Sequence, residues 1–183
     1  NGGTTSTTFT WTVSNTAPSA IDDLYTTDED TPINMNVVFN DTDPDLDNLL
    51  LVSATSASGT VVINADNTLT FTPNANFNGT ATVTYLITDN NGGFSTATAT
   101  ILITPVNDAP AAGPVPDRSN LDGSAVSLPV ADFFSDIDGD TLTYDAVGLP
   151  AGLNIDQTTG LITGTIAAGA SQVNGGLYSV TIT

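Results

Sequence analysis

Thr80-Ala81-Thr82-Val83-Thr84-Tyr85-Leu86-Ile87 runs through Thr88 into Asp89-Asn90-Asn91-Gly92-Gly93, and Phe94-Ser95-Thr96-Ala97-Thr98-Ala99-Thr100-Ile101-Leu102-Ile103 follows at once. Two runs rich in Thr and β-branched residues flank a turn whose Asn and Gly residues accept positive φ. That is the pattern of a hairpin of half-buried strands. The same reading extends outward. Residues 61–63 and 69–71 flank the turn Asn64-Ala65-Asp66-Asn67, and residues 4–13 alternate polar side chains with Phe9, Trp11 and Val13. No stretch keeps a 3.6-residue period with caps. Short strands and regular turn signals predict an all-β chain of immunoglobulin-like sandwiches.

An internal repeat divides the chain. Ser14-Asn15-Thr16-Ala17-Pro18 returns 92 residues later as Val106-Asn107-Asp108-Ala109-Pro110, and Asp43-Pro44-Asp45-Leu46-Asp47 returns 93 residues later as Asp136-Ile137-Asp138-Gly139-Asp140. Two unrelated motifs at nearly one pitch predict tandem domains of ~90–100 residues, the size of an Ig-type sandwich. Ala-Pro makes a short, stiff linker, because proline fixes its own φ and restrains the residue before it. Asn1-Gly2-Gly3 matches Asn91-Gly92-Gly93, and Tyr178-Ser179-Val180-Thr181-Ile182-Thr183 matches the strand that precedes that turn. The expected organisation is therefore residues 1–16 as the final strand of a preceding domain, 17–108 as a complete sandwich, and 109–183 as a sandwich lacking its last strand. The chain reads as a segment of a longer one.

Composition narrows the function. Among 183 residues there are 20 acids and one base, Arg118, for a net charge of −19, with no Lys, His or Cys. Such a chain cannot neutralise phosphates, which excludes nucleic-acid binding and adhesion to an anionic bilayer. No apolar run reaches the ~20 residues that span a membrane. Without His or Lys, most general bases, Schiff-base chemistry and imidazole metal ligands are missing. The many Ser and Thr hydroxyls have no base to activate them, so no enzyme is expected. Of the acids, 19 are Asp, whose short side chain favours turns, so the charge is expected at strand ends.

Several of these segments resemble one family. In 17–108 they are Ala17-Pro18, Asp22-Asp23, Asp28-Glu29-Asp30-Thr31-Pro32, Asn40-Asp41-Thr42-Asp43-Pro44-Asp45, Phe71-Thr72-Pro73-Asn74-Ala75-Asn76-Phe77-Asn78-Gly79 and the turn 89–93. That region resembles the bacterial cadherin-like repeats of giant, calcium-dependent, RTX-type surface adhesins. Residues 109–183 are similar to the dystroglycan-type cadherin-like variant, on the acidic loop 136–140 and on Leu149-Pro150-Ala151-Gly152-Leu153 running to Thr165. The resemblance implies tandem cadherin/immunoglobulin-like Greek-key β-sandwiches in a secreted or bacterial cell-surface protein, stiffened by Ca²⁺ and serving adhesion and biofilm formation. One departure is Asn15-Thr16, where the family has Asn-Asp.

Ca²⁺ takes 6–8 oxygen ligands, which alternate Asp residues supply if the backbone loops around the ion. Neither acidic loop is an EF-hand: the twelfth positions counted from Asp43 and Asp136 are Ala54 and Val147, where that loop needs Glu. Strand counting puts Asp43, Asp45, Asp47 and Asp89 at the entrance pole of 17–108, with Asp22 and Asp23 nearby. It puts Glu29 at the exit pole, facing Asn107, Asp108, Asp136, Asp138 and Asp140 across an interdomain junction. These residues are the expected calcium ligands. Asp66, Asp117, Asp122, Asp145 and Asp156 read as ordinary turn residues.

The aromatic residues Phe9, Trp11, Tyr85, Phe94, Tyr144 and Tyr178 read as core. An exposed set would make the alternative, a carbohydrate-binding module of a secreted, polysaccharide-interacting protein. Expected partners are neighbouring repeats of the same polypeptide. Head-to-tail association of copies is a further expectation, with residues 1–16 of one chain completing 109–183 of another.

Overall fold

The hairpin that opens this reading pairs over ten positions, from Gly79 opposite Ile103 to Thr88 opposite Phe94, as β6 (Gly79–Thr88) and β7 (Phe94–Thr104). Ala81, Val83, Tyr85 and Ile87 on β6 and Ala97, Ala99, Ile101 and Ile103 on β7 are buried. The threonines at 80, 82 and 84 are exposed. The period of two in the sequence is thus the two faces of a sheet. The computed structural model describes residues 2–183, and the chain parts into a first unit ending at Val106 and a second, Asn107–Thr183.

In the first unit, β7 and β6 are the centre of a four-stranded sheet, between β1 (Asp23–Asp28) and β3 (Leu50–Thr55). The second sheet orders β2 (Ile33–Met35), β5 (Leu69–Pro73) and β4 (Gly59–Ile63). Within this unit β1 runs parallel to β7, and the remaining strand pairs are antiparallel. Met35, Val37, Leu69 and Phe71 pack against the inward residues of β6 and β7 as one cluster, all fully buried or nearly so. At about 1.5–3 kcal/mol for each large apolar side chain taken out of water, this cluster is what holds the two sheets together. The β4–β5 turn forms as expected, with Asn67 at φ 65° and its N–H on the Asn64 carbonyl at 3.1 Å.

The second unit is less regular. β12 (Leu153–Asp156), β13 (Leu161–Thr165) and β9 (Ala125–Pro129) form a three-stranded sheet. Two-residue ladders join β8 (Ala111–Ala112) to β10 (Phe134–Ser135) and β11 (Ala146–Val147) to β14 (Thr181–Ile182). Its buried apolar residues are few: Val130, Tyr144, Ile162, Ile166 and Ala170. Carboxylates carry part of the ordering instead. Asp122 accepts from Ser171 Oγ (2.8 Å), Ser171 N (2.9 Å) and Gly169 N (3.2 Å), and Asp156 accepts from the N–H groups of Thr158 (3.0 Å) and Thr159 (2.8 Å).

These donors set a pH dependence. The Ser171 hydroxyl and N–H hold the Asp122 carboxyl below its ordinary value, and the Thr159 donors do the same for Asp156. A lowered folded-state pKa contributes stability above the unfolded value of ~3.9, and that stability is lost as the pH falls through the folded value. Asp122→Asn is therefore expected to lower the melting temperature of the second unit at neutral pH and to flatten its decline in acid. A parallel acid decline in parent and variant, followed by circular dichroism, would contradict the assignment.

Three aromatic expectations are corrected. Phe9 and Trp11 are 81% and 80% exposed, because residues 4–13 enter no ladder in this chain. Phe94 is exposed because even-numbered residues of β7 face outward, opposite to Ala97 and Ala99. Only Thr181 and Ile182 of the segment 178–183 pair as strand, while Tyr178 is half-buried with its hydroxyl on the Ala170 carbonyl at 3.0 Å. Tyr85 and Tyr144 are buried as expected.

Candidate metal centre

At one end of the first unit, three chain segments meet through named hydrogen bonds. Asp43 Oδ1 accepts from the backbone N–H groups of Asp45 (2.7 Å) and Asp47 (3.3 Å), folding 43–47 into a loop around its own first carboxylate. Asp45 Oδ2 accepts from Thr16 N at 2.5 Å, and Asp47 Oδ2 from Asn91 Nδ2 at 2.8 Å. One carboxylate oxygen from each of Asp43, Asp45 and Asp47 lies within 4.8 Å of the others. Asp43 is 8% exposed, and its Oδ2 is buried with no hydrogen-bond partner. A buried anionic oxygen without a donor costs free energy, of order 1–3 kcal/mol or more for a charged group. Asp41, Asp43 and Asp47 also border an open depression of about 420 Å³ beside the loop.

Asp89 lies in the adjoining turn and is used differently. It is 2% exposed, with Oδ1 accepting from Asn91 N (2.7 Å) and Gly93 N (2.8 Å), and Oδ2 accepting from Asn15 Nδ2 (2.7 Å). Burial raises this carboxyl, but the combined donors of Asn15, Asn91 and Gly93 outweigh it and hold the group below its ordinary value. Gly93 is required by this packing: a Cβ there would collide with the Asp89 carboxylate and the Ala17 backbone. Asp89 thus fastens Asn15 to the turn at the rim of the acidic loop.

The second unit repeats the loop with fewer constraints. Asp136 Oδ1 accepts from Asp138 N (3.0 Å) and Asp140 N (3.2 Å), and Asp138 Oδ2 accepts from Asp108 N (2.7 Å). These are the bonds of Asp43 with Asp45 and Asp47, and of Asp45 with Thr16, transposed along the chain. Among the described residues, the acids whose carboxylates converge as a group of three are Asp43, Asp45 and Asp47, and the 136–140 loop does not reach that convergence. Asp138 and Asp140 are exposed. Elsewhere in the first unit, Glu29 is 4% exposed, with its Oε1 on Val106 N at 2.6 Å.

The two loops differ at their fourth residue in an instructive way. Leu46 holds φ 63° where its counterpart Gly139 holds φ 79°. A left-handed conformation costs an L-residue roughly 1–2 kcal/mol, partly offset by the larger chain entropy that glycine loses on folding, ~0.5–1 kcal/mol. Leu46 is 90% exposed and surrenders little packing. Leu46→Gly is therefore expected to raise the melting temperature of the first unit by a few degrees, about 4–8 °C per kcal/mol. A lower value by calorimetry would show that Leu46 contributes a contact that matters.

Asp23 has other neighbours. It is placed with Tyr85 and Asp41, not among the three converging carboxylates. The Tyr85 hydroxyl lies 2.9 Å from Asp23 Oδ2, 2.9 Å from the Ile21 carbonyl, 3.1 Å from the Val37 carbonyl and 3.5 Å from Asp41 Oδ1. One hydroxyl proton faces four acceptors. Asp41 Oδ2 and Asn40 Oδ1 are buried there without partners. Burial raises the carboxyls of Asp23 and Asp41, the Tyr85 hydrogen bond opposes it in both, and burial likewise drives the Tyr85 hydroxyl far above its ordinary value. Sequence reading missed this group, although the Asn40-Asp41 pair stood beside the acidic loop.

Comparison with known proteins agrees with the fold. Residues 15–102 match the family described as "Bacterial Ig domain", and residues 104–183 match the one described as "Putative Ig domain". No curated protein matches the sequence. Among solved structures, the chain is similar to the human desmocollin-1 ectodomain, at 16% identity over 82% of this chain and 33% of that one, TM-score 0.48. It is similar to protocadherin gamma B2 extracellular domains 3–6, at 14% identity over 91% and 46%, TM-score 0.47. A SusE-like, surface-located polysaccharide-binding protein from Bacteroides thetaiotaomicron is similar at 15% identity over 82% and 28%, TM-score 0.36. The chain spans about a quarter to a third of the first solved chains it matches. The protein is an all-β tandem of Ig-like repeats. No helix among the described residues is long and apolar enough to cross a membrane.

Proposed function

We propose that this chain is a calcium-binding, non-enzymatic adhesion module of an extracellular bacterial surface protein, built from cadherin-like repeats of the kind found in RTX-type adhesins. Ig-type repeats of bacterial origin commonly serve at the cell surface, and the two family matches support that setting. The observation that carries the metal is the buried, partnerless Oδ2 of Asp43, on the carboxylate that converges with those of Asp45 and Asp47, one oxygen from each lying within 4.8 Å of the others. The donors are hard oxygens only, which suits Ca²⁺ over thiolate- or imidazole-seeking metals. Asp43, Asp45 and Asp47 would hold the ion, and Asp89 would fix the rim through Asn15.

A second ion is proposed at Asp108, Asp136, Asp138 and Asp140, on the strength of the repeated hydrogen bonds. Its greater exposure makes it the weaker site. Bound calcium cancels the mutual repulsion of the carboxylates in each loop. The loaded loops then resist opening and proteolysis, as a spacer in a repeat-built adhesin requires.

Calcium titration of the whole chain by calorimetry tests this reading. Extracellular modules bind at ~10⁻⁴–10⁻³ M, so saturable heat is expected in that range, with a rise in melting temperature. Absence of both heat and shift at ~10 mM calcium overturns the proposal.

A further inference from the structure

A second feature of the chain is independent of calcium: its one basic residue lies in an exposed connecting segment. Arg118 is the only Lys or Arg among these 183 residues. It sits in the stretch 113–121, between β8 and β9, which enters no strand or helix. Pro116, Asp117, Arg118, Ser119 and Asn120 are all exposed. Among the described residues, no hydrogen bond holds a backbone group from Pro114 to Asn120, and the Arg118 side chain donates none. The anchors lie at the two ends. Gly113 N donates to the Phe133 carbonyl at 2.6 Å, and Leu121 N donates to Ser124 Oγ at 3.2 Å.

The local sequence accounts for this openness. Pro114 and Pro116 lack the N–H that a ladder needs, and each keeps the residue before it out of helical φ/ψ. Asp117, Ser119 and Asn120 favour loops over strands. Exposed, polar, unpaired stretches of this kind are where proteases nick folded chains. A carboxylate at the base of a protease's specificity pocket selects a basic side chain, and this chain presents it with one.

We propose that the Arg118–Ser119 bond is a cleavage point for proteases that require a basic residue, and that the cut detaches residues 119–183 from the rest of the chain. The protease adds water across the amide: the Arg118 carbonyl becomes a carboxylate, and the Ser119 nitrogen becomes a free amine. Detachment follows from where the second unit keeps its core. Its buried apolar residues, Val130, Tyr144, Ile162, Ile166 and Ala170, all lie beyond the cut. Residues 107–118 meet 119–183 in the two-residue ladder of β8 with β10, in the Gly113–Phe133 bond, and in the bond from Asp108 N to Asp138 Oδ2. Residues 1–118 leave with the whole of the first unit.

Trypsin is the probe, applied to the full chain at neutral pH without added calcium. The expected result is a single cut, giving 1–118 and 119–183 by mass spectrometry and two separate species on gel filtration. A bond reached only through global unfolding is cut from an open fraction of about 10⁻³ or less, whereas a bond already open is cut in the folded chain. The folded chain should therefore be cleaved at a rate within about a hundredfold of that of a free peptide of residues 111–124. A slower rate overturns the proposal, and so do fragments that stay together on gel filtration. Arg118→Lys should be cut at the same bond. Arg118→Gln should stay whole with an unchanged melting temperature, since the side chain is exposed and unbonded among the described residues. A Gln variant that is still cut, or a Lys variant that is not, also overturns the assignment.

Discussion

Asp43→Asn should lower the melting temperature of the calcium-loaded first unit by roughly 10–20 °C, the loss expected when ~2.7 kcal/mol of ligand stabilisation disappears from a unit of this size. In EGTA the same substitution should leave stability unchanged or slightly higher. The asymmetry follows from geometry. Asn retains a side-chain oxygen to accept from the N–H groups of Asp45 and Asp47, so the loop keeps its shape. What it removes is the anionic Oδ2, buried and without a partner. In the absence of a cation that oxygen is a cost, and its replacement by an amide relieves repulsion from Asp45 and Asp47. On the proposed reading, calcium takes that oxygen as a ligand. A variant that melts equally low in EGTA and in calcium would reduce Asp43 to a structural turn residue, and the sign of the EGTA effect is the sharper readout.

Tyr85→Phe comes second, with an expected cost of about 1–3 kcal/mol, the range for leaving buried acceptors without their donor. That corresponds to a fall of roughly 10 °C in the first unit. The ring remains in the core and its area is nearly conserved, so the loss isolates the hydroxyl. The proton it supplies to Asp23 and the neighbouring carbonyls has no replacement from the chain at neutral pH. Acid supplies one. The carboxyls of Asp23 and Asp41 are raised by burial. Their contribution is therefore fully present below the unfolded value of ~3.9 and is lost as the pH rises through the raised folded values. A protonated Asp23 or Asp41 can donate where the hydroxyl did, so the deficit of the Phe variant should shrink as the pH falls. A deficit that stays constant from neutral pH into that range would contradict this account.

Much of the first unit was legible in the sequence because its determinants are local. The Thr alternation fixed which residues of β6 face the core, and the Asn64–Asn67 turn announced the β4–β5 hairpin. Asp43, Asp45 and Asp47 were readable for the same reason: the loop closes on its own backbone within five residues. The rest depends on neighbours far along the chain. Tyr85 reaches Asp23, 62 residues away, and Asp41, 44 away, and neither spacing leaves a mark on composition or period. Phe94 misled because hydrophobicity alone does not say which parity faces inward; the register of β7 against β6 decides it. Phe9 and Trp11 have the alternation of a core strand, yet alternation specifies a face and not the sheet that covers it. The second unit was legible in its acidic loop and illegible in its two shortest ladders, β8 with β10 and β11 with β14, which pair over two residues each.

The parallel pairing of β1 with β7 gives the first unit a mechanical character. Six consecutive positions match, from Asp23 opposite Ala99 to Asp28 opposite Thr104. Tension applied at the N-terminal end of β1 and the C-terminal end of β7 pulls these strands past one another along their length. All six rungs then bear the force together, in shear, and must yield nearly at once. An antiparallel pair tugged from its shared end would give way rung by rung. Resistance to such loading is set by the unfolding barrier, so this pairing is expected to make the first unit yield late when pulled from those two ends.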